Sequence, residues 1–325
     1  MAEPRTYTWV ASISIRVIDM FRFEKEQQIF EVGGVRLGGQ PGQLPTVMIG
    51  SIFYHGDKTV TDPVKGEFDK ERALKLLRDG EEQSLKTGNP GMLDVNGING
   101  QALVKFIDFI ADNTSFPILI GGATVESRVT AAKHVAEVGL VDRCAYNSIG
   151  GDTTEEELAA IKEAGIKSAI LLLFNKRWPT IEGRVELLRG KAPQRGLLEI
   201  AEEAGVRNFL VDVSVVDMPD PGPASKAVYY VKERYGLPSG CGPHNAVQMW
   251  RRGGRLDAAQ VVSANAVAHV SPILMGANFI LYGPVSHAER IYLPCALADA
   301  YVAYAMRQQY RIAPLTKEHP LFKIF

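Results

Sequence analysis

The residues Ser168-Ala169-Ile170-Leu171-Leu172-Leu173-Phe174 form an apolar run with no alternation of polar and apolar positions. A run of this length is strand-sized, far short of the roughly 18 apolar residues of a membrane span. It reads as a strand buried on both faces, the environment of a parallel sheet covered by helices. Parallel neighbours need crossover connections, so the rest of the chain should follow a β–α rhythm.

That rhythm is present along the chain. Residues 45–50, 92–96, 117–120 and 143–147 read as strands before this run, and 209–213, 237–242 and 279–282 after it. Asp69 opens a helix in which Ala73, Leu74, Leu77 and Leu85 keep helical spacing before Gly88. Further helices are expected over 101–111, 126–138 and 224–235, at 245–251 and 258–274, and over 284–310. One more runs over 181–204, with a break at 190–193. The helix after the fourth strand has Asp152 or Thr153 as N-cap with Glu155 or Glu156 three residues on, a capping-box pattern.

Eight strands alternating with eight helical connections, without a linker, predict a single (β/α)8 TIM barrel. An open dinucleotide-binding sheet would need G-x-G-x-x-G after the first strand, where Gly50-Ser51-Ile52-Phe53-Tyr54 stands instead. Residues 1–19 lack the features of a signal peptide and are set apart as an N-terminal extension, which leaves 20–325 as the barrel domain. A net charge of −1 gives no broad attraction for nucleic acid or an anionic membrane. Cys144, Cys241 and Cys295 are an odd number without C-x-x-C spacing, which points to a reducing, cytoplasmic setting.

Barrel enzymes work at the carboxyl ends of their strands, so polar residues there outrank polar residues elsewhere. The candidates are Asp94 and Asn96 on the second strand, Asn147 and Ser148 on the fourth, Asp212 on the sixth, and His244 and Asn245 after the seventh. Each has an ordinary reading as a helix cap, a turn residue or the partner of a buried Arg. No His-x-His stands on an early strand, only His55, so no bound metal is expected. Lys176 lies two residues beyond its strand, poorly placed for a Schiff base, and Cys144 and Cys241 read as small buried hydrophobes. Tyr282-Gly283-Pro284 is a weak phosphate loop. Amides and carboxylates without metal ligands suit a flat heterocycle with alternating donors and acceptors, such as a 2-amino-4-oxo ring.

Several stretches carry a resemblance. Met20-Phe21-Arg22-Phe23, Gly33-Gly34-Val35-Arg36-Leu37-Gly38-Gly39-Gln40-Pro41-Gly42, Tyr146-Asn147-Ser148-Ile149, Gly242-Pro243-His244-Asn245 and Leu281-Tyr282-Gly283-Pro284 resemble signature stretches of one family. That family is the MtrH component of tetrahydromethanopterin S-methyltransferase, with relatives that act on tetrahydrofolate. The resemblance implies methyl transfer between a corrinoid (methylcobalamin carried by a partner protein) and N5 of a tetrahydropterin. It implies Asp212 on the pterin N–H groups, Asn147 on the ring, Asn245 near N5, and a homodimer. The family pattern has Asp-Ser after the third strand, whereas Gly121-Gly122-Ala123-Thr124 stands here. Asp94 is a candidate replacement for the missing carboxylate, and a shifted pterin pose is the alternative. On this departure tetrahydrofolate is preferred to tetrahydromethanopterin. The competing readings are a dihydropteroate-synthase-like enzyme and a non-catalytic pterin-binding subunit. The first would have Asp-Pro-Gly and Ser-Arg-Lys stretches where Asp212-Val213-Ser214 and Pro243-His244-Asn245 occur.

Overall fold

The computed structural model describes residues 21–217, 219–254 and 256–325, so the extension placed at 1–19 lies outside the described residues. Eight parallel strands alternate with helices. They are β1 (Val47–Ile52), β2 (Gly91–Gly97), β3 (Ile118–Gly122), β4 (Cys144–Ile149), β5 (Ser168–Leu172), β6 (Asn208–Asp212), β7 (Ser239–Cys241) and β8 (Phe279–Pro284). They pair in the order β6-β7-β8-β1-β2-β3-β4-β5, and β5 pairs with β6 to close the barrel. The apolar run that suggested a doubly buried strand is β5.

Side chains alternate across each strand, and the two faces feed two separate cores. Ile49, Met92, Leu119, Ala145, Ile170, Leu210 and Phe279 point into the barrel. Their sequence neighbours Met48, Leu93, Ile118, Tyr146, Leu171, Val211 and Ile280 face the helices. Steric fit is thus decided twice on seven of the eight strands; of the short, glycine-centred β7 only Cys241 joins a core cluster, the one facing the helices.

The helical layer is α1 (Lys70–Thr87), α2 (Gly100–Asn113), α3 (Val125–Glu137), α4 (Glu155–Ala164), α5 (Ile181–Arg189), α6 (Leu197–Glu203), α7 (Pro221–Tyr235), α8 (His244–Arg252), α9 (Ala258–Leu274) and α10 (Ala288–Tyr310), followed by a short α11 (Pro320–Lys323). The capping box of α4 uses Thr154 with Glu157, one residue later than the sequence pattern suggested. Glu157 also accepts from Tyr146 Oη at 2.7 Å and pairs with Arg128 at 2.6 Å, and these contacts select that register. The break expected at 190–193 is a small hairpin, Gly190–Lys191 with Gln194–Arg195.

A segment ahead of the first barrel strand closes the lower end. Ile29–Val32 and Val35–Gly38 form an antiparallel hairpin. Its Val32 and Leu37 are fully buried in the same cluster as the inward-facing strand residues. Burial of each is worth about 2 kcal/mol. The amino end of the barrel therefore has a dry floor.

Candidate active site

The inward parity of each strand runs on past the apolar layer to its carboxyl end. Above Ile49 comes Ser51, above Met92 come Asp94 and Asn96, above Leu119 comes Gly121, above Ala145 comes Asn147, and above Leu210 comes Asp212. Of these, Ser51, Asp94, Asn96 and Asp212 line a cavity of ≈ 1050 Å³ at the barrel mouth. Asp94, Asn96, Asp212, His244 and Asn245 all line it, so five of the seven sequence candidates meet in one space.

Asp94 is 7% exposed and sits at the centre of a small network. Its Oδ2 accepts from Ser51 Oγ at 3.0 Å and from Asn96 Nδ2 at 2.8 Å, and its Oδ1 accepts from Asn147 Nδ2 at 2.9 Å. Burial raises its pKa, and the bonds from Asn96, Asn147 and Ser51 pull the other way. The strand register explains how the network reaches across the sheet. Gly121 stands between Asn96 and Asn147 in the ladder. A Cβ on Gly121 would lie 2.5 Å from Asp94 Oδ1 and 2.9 Å from Asn96 Oδ1. The missing side chain is the space through which the Asp94 carboxylate meets Asn147.

Asn147 and Ser148 are not placed on the cavity wall. Asn147 is joined to the site through Asp94, to which its Nδ2 donates. The ladder between β4 and β5 shifts register between Asn147 and Ile149, so Ser148 falls at the irregularity and lines no part of the cavity.

Asp212 lies on β6, four strands from β2 in the closed order and hence across the mouth from Asp94. It is 8% exposed, and its Oδ1 accepts from Ser214 N at 2.8 Å. That is its one hydrogen bond among the described residues. A carboxylate has about four acceptor sites, so most of its capacity faces the cavity unused. Burial pushes its pKa up to about 6, against lowering by the Ser214 N–H and by Arg184. Arg184 itself pairs with Asp220 at 2.7 Å.

Asn245 is in the first turn of α8 and exposed to the cavity, and its Nδ2 donates to Val215 O at 3.3 Å. His244, the first residue of α8, packs its ring against β8 where Gly283 (φ 84°) has no side chain; a Cβ there would lie 2.4 Å from the imidazole. Its Nδ1 is buried without a hydrogen-bond partner. Burial lowers the His244 pKa to about 3, helped by His287, His269, Arg251 and Arg252. The ring is thus a neutral imidazole on the cavity wall.

The sequence reading missed Ser51 and Ser214, which hold the two carboxylates, and the basic residues of the outer wall, Arg72, Arg251 and Arg252. Strand parity from Val47 and Ile49 would have found Ser51. Among the described residues no group of three or more His, Cys, Asp or Glu is arranged to hold a metal ion. The three cysteines are free and buried, and among the described residues no helix is long and apolar enough to cross a membrane.

Residues 25–314 match the family described as the tetrahydromethanopterin S-methyltransferase MtrH subunit. The chain belongs to the MtrH family. The corresponding tetrahydromethanopterin S-methyltransferase component of Methanothermobacter thermautotrophicus is 36% identical over 315 residues, covering 94% of this chain and 100% of that protein. Its counterpart from Methanopyrus kandleri is 36% identical over 312 residues, 91% of this chain and 97% of that one. Among solved structures, a Yersinia pestis dihydropteroate synthase bearing a pterine-sulfa conjugate superimposes with a TM-score of 0.58 over 84% of this chain and 99% of its own. At 12% identity it shares the fold alone. The MtrH relatives are named as methyltransferases, and this chain is an enzyme of that class on a TIM barrel.

Proposed function

We propose that this MtrH-family barrel transfers a methyl group between N5 of a tetrahydropterin and a corrinoid cobalt presented by a partner protein. The observation that carries this reading is Asp212, a buried carboxylate with one internal donor and its remaining capacity turned to the cavity. Such a group is stabilised by a ligand with adjacent N–H donors, and a 2-amino-4-oxo pterin edge supplies two. Asp94 and Asn96 offer a further acceptor and an amide from the opposite side of the mouth.

In the forward direction the N5 lone pair attacks the methyl carbon of methyl-cobalt(III). The cobalt–carbon bond breaks with its electron pair left on cobalt(I), and the N5 proton is released. Neither reacting atom belongs to the protein. Its part is to fix the ring so that N5 faces the open mouth and to stabilise the charge that develops there. Asp212 fixes the ring edge. Asn245, held by Val215 O, presents its amide beside N5. Asn147 keeps Asp94 in place rather than touching the ring.

The two MtrH relatives are named for tetrahydromethanopterin. For this chain tetrahydrofolate is put first, because the Gly121-Gly122 departure hands one acceptor position to Asp94. A homodimer and a corrinoid protein covering the mouth complete the proposal. The test is the absorbance change on demethylation of methylcobalamin with tetrahydrofolate or tetrahydromethanopterin as acceptor. Demethylation dependent on the enzyme and on a tetrahydropterin is expected; its absence with both acceptors would sink the proposal. An Asp94→Ala variant that binds the tetrahydropterin with unchanged affinity removes Asp94 from the ligand contacts.

A further inference from the structure

The cavity has two ends of opposite character. Its inner end holds the carboxylates of Asp94 and Asp212. Its outer arm passes between the start of α1, the turn Val285–His287 after β8 and the last turn of α8, where Lys58, Arg72, Arg251 and Arg252 line the wall. Among the described residues none of these four cations has a carboxylate within salt-bridge distance. The carboxylate of Asp57 also lies at this end, accepting from Phe53 N at 2.8 Å and Thr59 N at 2.9 Å, and forms no ion pair with any of the four, so the cations outnumber it. The imidazoles of His244 and His287, whose centroids are 5.1 Å apart, also line the cavity, and burial and nearby cations hold both pKa values down.

Pockets that bury a whole drug-sized ligand run to about 1,000 Å³, so at ≈ 1050 Å³ this cavity is far larger than a bicyclic ring requires. Uncompensated guanidinium groups along a cavity wall favour anionic oxygens, carboxylate or phosphate, which they bind through paired N–H donors. An ordinary role for Arg251 and Arg252, complementing the carboxyl-terminal dipole of α8, explains their place on the helix but not Arg72 and Lys58 on the facing wall.

We propose that the outer arm is a subsite for the anionic tail of the tetrahydropterin, with Arg251 and Arg252 on one wall and Arg72 on the other. This rests on the pterin reading of the inner end. The ligand lies with its ring N–H edge at Asp212 and its tail carboxylates or phosphate between α1 and α8, which leaves the N5 face toward the mouth. The arm therefore discriminates among tetrahydropterins by their tails, beside the contacts that the inner end makes with the ring.

The experiment compares the Arg251→Gln/Arg252→Gln double variant with the wild type, using methylcobalamin as donor. The acceptors are tetrahydrofolate, tetrahydromethanopterin and the tail-less 6-methyltetrahydropterin. The expected result is a rise of about tenfold in KM for a tail-bearing acceptor, so that its advantage over the tail-less ring shrinks by the same factor. Arg251→Lys/Arg252→Lys should recover part of that advantage, which loss of a helix-end contact would not predict. A shift with tetrahydrofolate alone assigns the carboxylate tail, with tetrahydromethanopterin alone the phosphate-bearing tail, and with both a general anion subsite. Equal shifts for tailed and tail-less acceptors overturn the subsite while leaving the ring site standing. A shift confined to the KM for methylcobalamin overturns it in favour of a donor-side role. A wild type that methylates none of the three removes the ring reading and the subsite with it.

Discussion

Gly121→Ala isolates the reasoning about the missing third-strand carboxylate. Gly121 has no positive φ, so alanine meets no backbone penalty there, and on flexibility alone the change would be slightly stabilising. The cost is steric. The new Cβ falls 2.5 Å from Asp94 Oδ1, and relief requires the carboxylate to withdraw by about 1 Å to ordinary contact at 3.4 Å. That movement breaks the 2.9 Å bond from Asn147 and strains those from Ser51 and Asn96. Hydrogen bonds to a charged group contribute about 1.5–3 kcal/mol each and overpacking costs about 1–3 kcal/mol, so a loss of about 2–4 kcal/mol is expected. At about 2 °C per kcal/mol for a chain of this size, Tm falls by about 4–8 °C. In an Asp94→Gly background the 2.9 Å approach to Asn96 Oδ1 and the 3.1 Å approach to Val95 O remain, so the same substitution should cost about 2 kcal/mol less than in the wild type, a coupling of about 2 kcal/mol. Thermal unfolding followed by circular dichroism on the four proteins of the cycle measures this, with tetrahydropterin titration alongside. Additive effects within about 0.5 kcal/mol would refute the claim that Asp94 occupies the space vacated at Gly121.

Four further outcomes are expected. Asp212→Asn keeps the fold but weakens tetrahydropterin binding by about 100-fold, read by calorimetry, because a charged acceptor of two N–H groups is lost. In the wild type, kcat/KM should fall on the acid side with a midpoint near the raised Asp212 pKa of about 6, and this limb should vanish in Asp212→Asn. Since that pKa lies above the usual carboxylate value, the folding contribution of Asp212 is complete below about 3.8 and is lost as pH rises through about 6; the ionised form that binds ligand is the less favoured one for folding. Asn245→Ala should lower turnover by about 100-fold or more with little change in Tm, and near-normal turnover would remove Asn245 from the mechanism. Lys232 is fully buried against Gly39 O and Asn278 Oδ1, and burial lowers its pKa to about 7; its contribution to stability is complete above about 10.5 and is lost as pH falls to about 7, a slope that urea titrations should find missing in Lys232→Met.

The barrel was legible because the β5 run has no polar face to turn to water and because six of the other seven strands also supply the two apolar faces that a covered sheet demands. Asp94 and Asp212 were legible for the complementary reason, that each breaks the inward apolar series at the carboxyl end of its strand. The bond from Asn147 to Asp94 was not, since that partner is set by the lateral register across Gly121 and by no local pattern. Ser148 shared the same polar exit and was grouped with Asn147, but the bulge that sets them apart has no sequence signature. Arg251 and Arg252 look like ordinary helix-end residues, and only the folding of α8 over the mouth brings them to the cavity that Arg72 also lines. The capping box of α4 was found one residue early because Asp152, Thr153 and Thr154 are all competent caps, and the contact of Glu157 with Tyr146 and Arg128 selects among them.

The hairpin that carries Val32 and Leu37 bears on the kinetics as well as on the core. With the lower end of the barrel filled, a small substrate can enter and leave only through the mouth, and a carrier protein docked there would block that route. Binding should then be compulsory in sequence, tetrahydropterin before carrier, with the methylated pterin retained until the carrier departs. Initial-rate patterns would carry this signature as inhibition by excess carrier that added tetrahydropterin relieves.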